Sequence, residues 1–486
     1  MFTCISNYLR LAQIIFILFK NLYSFLPFIP RFLKIQSKYR LGQKLSQSFE
    51  ELGPIFIKFG QSLSTRADIV GSEVTEDLAN LRDRLTPFAF EIASDIIEQE
   101  FHQKILELYL EFNPIPIASA SIAQVHQAVN LRGEKVAVKV LRPGIEKAFA
   151  RDIRLFYYLA RIVNKFHPRL KRLKLLEVID TFAATVKMEM DLRLEAAAAD
   201  ELKHNLLNDS SVYIPTIDWQ LTSRKVLTLE WIDAISIDNK EELIQEGHNL
   251  KDLAAKLSIC FFNQAYRDGF FHADLHHGNI LVNNQGQLVF IDFGIMGRLD
   301  YDTRVYVAEI LKGFLERDYL HVAHIHIKAG YVPKHHSIAT FAQACRSIGE
   351  PIIGLPAKQI SVGKLLAQLF KITEDFEMET QPQLLLLQKT LIIVEGVGSS
   401  LDQEVNMWQL AEPWIKQWAS KNLGFDMRFI QAGKKLINFI DYKLPALLDA
   451  KSQNIFIENK INNSGAYIIS IITSIIISLL VIYFIK

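Results

Sequence analysis

FFHADLHHGNILVNNQGQLVFIDFG, residues 270–294, sets three oxygen-bearing side chains around one short apolar strand. Asp274 and Asn279 lie five positions apart in a polar loop. Asp292 follows thirteen positions after Asn279, at the end of a strand predicted at Leu288–Ile291. Carboxylate and amide oxygens on two adjacent loops suit a hard divalent cation, which is bound by oxygen donors. Either loop alone is a common pattern, whereas the two in this order and spacing are specific.

His272-Ala273-Asp274-Leu275 followed by Asn279 has the spacing of the H-R-D-L-x-x-x-N loop of protein kinases, and Asp292-Phe293-Gly294 supplies their D-F-G element. In that logic Asp274 accepts a hydroxyl proton or orients the attacking group, while Asn279 and Asp292 hold Mg2+ on the phosphates of ATP. Upstream, Lys139 sits in Val136–Val140, a predicted strand, where an ammonium neutralises phosphate charge and a glutamate positions it. Glu189 and Glu195, on the helical stretch 187–199, are both candidates for that glutamate. Leu227–Ile232 reads either as a hinge whose backbone bonds an adenine ring or as an ordinary strand end. The phosphate loop departs from the kinase pattern. Where glycines are expected stand Ile117, Ala118, Ser119, Ala120, Ser121, Ile122, Ala123, Gln124 and Val125. Backbone N–H groups there can still face an anion. Alanine does not reach positive φ cheaply, however, and its methyl keeps the backbone further from phosphate.

The whole chain has 486 residues, enough for two or three cores at about 150 residues each. Basic and acidic residues nearly cancel, 54 against 53, which argues against a nucleic-acid partner. Cys4, Cys260 and Cys345 are isolated, so neither a disulfide scaffold nor a zinc ribbon is expected and a reducing compartment fits. Half the residues are hydrophobic, with a concentration at the end of the chain. Ala466–Ile485 is twenty residues without a charge, which as a helix spans about 30 Å, a bilayer's hydrocarbon core. Lys434, Lys435, Lys443, Lys451 and Lys460 precede it and only Lys486 follows, which predicts a single C-terminal transmembrane helix with the body in the cytoplasm. Leu11–Phe19 is too short to span and is predicted as a helix lying on the membrane or on the protein's own core. Arg169, Lys171, Arg172 and Lys174 form a basic block, a solvated face with an anionic membrane in reach. Residues 40–112 read as helices, 114–140 as strands, 144–205 as helix, 212–232 as a second β stretch and the chain after 300 as helical. The result is an α+β protein with a small sheet-bearing lobe and a larger helical one.

The alanine-rich loop, VAVKV, HADLHHGN and IDFG together resemble the UbiB/AarF family of atypical protein-kinase-like proteins. LGPIFIKFGQSLSTR, residues 52–66, looks like that family's KxGQ motif in Lys58, Gly60 and Gln61. Glu189-Met190-Asp191 looks like its ExD motif, Glu195 like the glutamate that pairs with the strand lysine, and Glu395-Gly396-Val397 with Leu401-Asp402 like its C-terminal helical region. The resemblance covers roughly residues 45–410. It implies a two-lobed kinase-like fold in which N-terminal helices lie over the nucleotide site and Lys58 and Gln61 face the phosphates. The expected organisation is a membrane-proximal helix (1–44), a helical KxGQ extension (45–112), an N-lobe with a helical insert (113–235), a C-lobe core (236–335), a helical extension (336–463) and the transmembrane helix (464–486). The implied role is support of ubiquinone (coenzyme Q) biosynthesis at a bacterial-type inner membrane, using Mg2+ and ATP. Implied partners are the bilayer and either biosynthetic enzymes or lipid quinone precursors. A conventional protein or small-molecule phosphotransferase and a non-catalytic nucleotide-sensing scaffold are the competing expectations. Leu275 and His277 replace prolines frequent in the family, which is expected to loosen that loop by freeing φ. Ala67 and Gln403 also stand where prolines are common.

Overall fold

Along Lys135–Leu141 the valines at 136, 138 and 140 are buried on one face, and strand alternation turns Lys139 to the other. This strand, β4, belongs to the first sheet of the computed structural model, which describes residues 2–22, 40–64, 70–78, 81, 85–166, 175–351, 372, 375–378, 381–403 and 410. All of these fall in the unit Met1–Trp418. The first sheet is antiparallel, ordered β1-β3-β4-β6, from Tyr109–Phe112 (β1), Ala123–Asn130 (β3), β4 and Val226–Glu230 (β6). Ala118–Ser119 (β2) pairs with β3. Val125 and Leu227 flank Lys139 in register. A second sheet runs β5-β10-β9-β7, from Val212–Tyr213 (β5), Leu288–Phe290 (β10), Ile280–Asn283 (β9) and Ala234–Ser236 (β7). Phe270–His272 (β8) and Met296–Arg298 (β11) form an antiparallel pair.

Helices precede, interrupt and follow these sheets. Phe2–Leu22 (α1), Leu41–Leu52 (α2), Pro54–Leu63 (α3), Ser72–Leu78 (α4), Phe90–Phe101 (α5) and Ile105–Leu108 (α6) come before β1. Ile145–Phe166 (α7), Leu175–Glu189 (α8) and Leu192–Asn205 (α9) lie between β4 and β5. Lys240–Gln245 (α10) and Leu250–Phe262 (α11) precede β8, and Tyr301–Leu315 (α12), Tyr319–Lys328 (α13), Ile338–Gly349 (α14) and Pro382–Leu401 (α15) follow β11. The mixed helix-and-sheet class expected from the sequence is the one found. Gly60 is a packing residue: a Cβ there would come within 2.3 Å of Leu81 and 2.6 Å of Phe49.

Several boundaries differ from the sequence reading. The stretch read as helical through 112 ends in strand β1, because Tyr109 buries its ring beneath the sheet and its hydroxyl meets Thr228 Oγ1 at 3.0 Å. The single β stretch expected at 212–232 is broken by a 3₁₀ turn, Trp219–Leu221, whose amides Asp218 caps, so β5 and β6 join different sheets. The apolar run 11–19 is the centre of the longer helix α1. Ile14 and Ile17 face the core, and Arg10 pairs at 2.8 Å with the buried Asp152, so α1 lies on the protein's own core. Its Leu9, Ile15, Phe16 and Phe19 are exposed. Among the described residues one helix, Gln383–Leu401, is long and apolar enough to cross a membrane by length and composition, and a third of its apolar window (33%) is buried within the fold. The span expected at 466–485, the lysines before it, Ala67 and the basic block at 169–174 lie outside the described residues.

Candidate active site

Lys139 is the centre of a charge cluster. Its Nζ donates to both oxygens of Glu195, at 2.7 and 3.0 Å, and to Asp292 Oδ1 at 3.0 Å. Glu195 arrives because Asp191 caps α9 and places Leu192, Glu195, Ala196, Ala199 and Leu202 on one buried helical face. That settles which glutamate meets the strand lysine. Glu189 ends the preceding helix and pairs instead with Lys58 of α3 at 3.0 Å. Gln61 lies three residues after Lys58 on α3, on the same side of the helix. Burial opposes the charge on Lys139, but Asp292 and Glu195 outweigh it and hold the ammonium well above its usual range. Burial pushes Glu195 up to about 7, with Lys139 pulling the other way. Asp292 keeps 49% side-chain exposure, so the cation beside it sets its state. Burial works to raise its carboxyl, yet Lys139 and Lys58 hold it well below the usual range.

The two loops from residues 270–294 are tied together by hydrogen bonds. Asn279 Nδ2 donates to the Asp274 carbonyl at 3.0 Å, and the Ile291 amide donates to the Asn279 carbonyl at 3.1 Å. Asp292 holds a left-handed backbone, φ 61°, which turns its carboxylate back towards Lys139 at the end of β10. Buried His272 bridges the loops: its Nδ1 accepts from the Asp274 amide at 3.1 Å, leaving Nε2 to donate to the Ile291 carbonyl at 3.2 Å. This network assigns the neutral Nε2–H tautomer. Burial accordingly lowers the His272 pKa from 6.5, against the pull of Asp274. A histidine with a depressed folded-state pKa contributes stability that is present above the unfolded value and lost as pH falls through the folded one. Melting temperature should therefore fall as the pH is lowered below the ordinary histidine value of 6.5, and thermal melts on the acid side of neutrality check it. Buried His126 and His326, shifted the same way by burial, add to the slope.

The alanine-rich loop is more closed than expected. The Ala120 amide donates to the Ala123 carbonyl at 2.8 Å, and Arg142 bonds Ser119 Oγ at 3.0 Å and the Ala120 carbonyl at 3.2 Å. Ser121, Ile122, Ala123 and Gln124 are buried, and Gln124 is committed to Phe88 and His126 on the sheet face away from Lys139. With these four side chains buried, the segment has its backbone N–H groups to offer an anion there. Ile117, Ala118, Ser119, Ala120 and Val125 stay exposed or half-exposed. At the hinge, the amides of Glu230 and Trp231 are taken by the carbonyls of Thr216 and Lys135. Neither is left for an adenine.

The loop with Leu275 and His277 in place of prolines is not loose. Leu275 is fully buried, and the His277 ring meets Ser400 Oγ at 3.2 Å. Ser400 belongs to α15, which also brings Thr390 Oγ1 to 3.3 Å from the Ala273 carbonyl and Lys389 Nζ to 3.3 Å from Asp274 Oδ1. Lys389, Ser400 and Arg142 are neighbours of the site that the sequence reading missed. For Lys389 one signal was present: a lone cation inside the apolar run Leu384–Val394. The oxygen donors of Asn279 and Asp292, on adjacent loops with Asp292 partly open, fit a hard divalent cation.

Comparison with known proteins matches two family models: the ABC1 atypical kinase-like domain over residues 80–326 and the UbiB helical domain over residues 345–406. The "Probable protein kinase UbiB" of Marinobacter nauticus is 44% identical over 393 residues, covering 80% of this chain and 72% of that protein. The protein of the same name from Aliivibrio fischeri strain MJ11 is 39% identical over 423 residues, covering 85% and 78%. Among solved structures, Rv3197 from Mycobacterium tuberculosis, in complex with erythromycin, superposes with a TM-score of 0.50 at 25% identity, covering 73% of this chain and 90% of that one. Kinase-like lobe and helical module together place the chain in the UbiB family of ABC1-type atypical kinase-like proteins.

Proposed function

We propose that the protein is a membrane-anchored atypical kinase or ATPase that binds Mg-ATP and supports ubiquinone biosynthesis, with its catalytic body on the cytoplasmic side of an inner membrane. The observation that carries this reading is the convergence of Lys139, Glu195 and Asp292 within hydrogen-bonding distance, beside the loop of Asp274 and Asn279. In this reading Lys139, positioned by Glu195, neutralises phosphate charge, and Asn279 and Asp292 hold the metal. Mg2+, when bound, supplies charge neutralisation at the phosphates. Asp274 takes the proton of the attacking water or hydroxyl as its oxygen bonds to the terminal phosphorus. The phosphorus–oxygen bond to ADP breaks, and ADP leaves with the electron pair. The pair that ties Lys58 of the N-terminal helix α3 to Glu189 at the end of α8 supports a covered site that admits nucleotide and water more readily than a protein substrate. The apolar run 466–485 supports the anchor.

Purified full-length protein in anionic liposomes is expected to release phosphate from ATP only with Mg2+, and faster than it labels an added protein or hydroxyl acceptor. Absence of both release and nucleotide binding overturns the reading. Faster labelling of an acceptor than of water turns it into a conventional phosphotransferase.

A further inference from the structure

The UbiB helical region reaches the loop that carries Asp274. Helix α15 lies within that region and packs along α11. Leu387, Val394, Val397 and Leu401 enter the main core. With the helix anchored this way, its polar residues meet the catalytic loop at successive points: Lys389 at the Asp274 carboxylate, Thr390 at the Ala273 carbonyl and Ser400 at His277. Thr390 also bonds the Leu386 carbonyl on its own helix at 2.8 Å, which fixes its rotamer and with it the phase of the helix beside the loop. We propose that Lys389 is a positioning residue for phosphoryl transfer, holding the Asp274 carboxylate in the orientation from which it takes the proton of the attacking group. This rests on the functional reading above and deepens it, because it assigns the second family module a part in the chemistry.

Three features support the assignment. The contact joins Asp274 to a residue 115 positions away, and it is the lone cation of an otherwise apolar stretch. The Asp274 side chain is otherwise met only weakly among the groups described, by His276 Nε2 at 3.7 Å, since Asn279 bonds its backbone carbonyl and leaves the carboxylate untouched. Both partners of the ion pair are about one-quarter exposed, 25% and 26%, so the pair opens towards solvent and is unlike the buried pairs that hold the fold. With solvent access at both ends this pair contributes less to stability than a fully buried one, and Lys389→Met is expected to stay folded with a melting temperature close to wild type.

The test compares Lys389→Met, which keeps the aliphatic stem, with Lys389→Arg. Three quantities are read: ATP turnover, Mg-nucleotide affinity, and amide hydrogen exchange of residues 272–279 in the nucleotide-free protein. The expected result for Lys389→Met is a kcat lowered by about tenfold or more, a nucleotide Kd within about twofold of wild type, and faster exchange in the loop. Lys389→Arg recovers most of the rate. A kcat within about twofold of wild type in Lys389→Met overturns the assignment, as does a proportional loss of affinity with no advantage of arginine over methionine. If the wild type binds Mg-ATP and loses it on Asp292→Ala while Lys389→Met turns over normally, only this inference fails. A wild type that binds no nucleotide overturns both.

Discussion

Asp292→Ala is expected to weaken Mg2+-dependent nucleotide binding by about 100-fold or more. Two contributions add. The cation loses an anionic oxygen donor, and hard divalent ions depend on such donors for both affinity and geometry. Lys139 also loses one of its two carboxylate partners, at 3.0 Å, and is left to Glu195 alone. Because Asp292 sits at φ 61°, alanine adds backbone strain there, and Asp292→Asn separates the effects. Asparagine tolerates the left-handed region and keeps one oxygen while losing the charge. Asn should therefore retain the fold and still lose most of the affinity. Calorimetric titration with a nonhydrolysable ATP analogue, with Mg2+ and with EDTA, checks this. Unchanged affinity in both variants would remove the metal assignment.

Lys139→Met is expected to destabilise the protein by about 3 kcal/mol while abolishing turnover, since removing one partner of a buried ion pair strands the other charge. Glu195 is only 7% exposed, so water replaces the lost ammonium poorly. The effect carries a pH signature. Burial already pushes Glu195 up to about 7 from 4.5 with the lysine present, and without it the folded-state value rises further. A carboxyl whose folded pKa lies above its unfolded one contributes stability below the unfolded value and loses it as pH rises through the folded value. The stability gap between variant and wild type should thus change little below about pH 7, where Glu195 is protonated in both folded proteins, and widen as pH rises above it. Lys139→Met/Glu195→Gln should recover part of the loss above about pH 7, where the unpaired carboxylate is driven to ionise. Denaturant unfolding of the four proteins of this cycle at two pH values measures the coupling. A gap independent of pH would show that Glu195 is not the group left unpaired.

Lys139, Asp274, Asn279 and Asp292 were legible in the chain because each is defined locally. Lys139 lies on an alternating valine strand, and the other three sit at fixed distances around β10. The glutamate was legible only through the family resemblance, which pointed to Glu195. Glu189 and Glu195 occupy one continuous helical-looking stretch, and only the break at Asp191, which starts a new helix, sends them to Lys58 and Lys139 respectively. Gln124 shows the opposite failure. Its place in the phosphate loop suggested a nucleotide contact, yet the register of β3 against β4 puts it on the far face of the sheet. The loop around Leu275 and His277 misled for a related reason: losing a proline frees φ only where nothing else restrains the residue, and here burial and Ser400 do.

What the amino-acid order determined by itself was the family, the α+β make-up and the placement of Asp274, Asn279 and Asp292 on two adjacent loops, because those follow from short-range spacing, motif content and periodicity. Tertiary structure decided the charge partners that no motif named, Lys58 with Glu189 and Lys389 with Asp274, and it sets Glu195 rather than Glu189 at Lys139. An ion pair between distant segments exists only after apolar faces have packed and fixed which helix lies against which strand, and no local pattern along the chain encodes that choice.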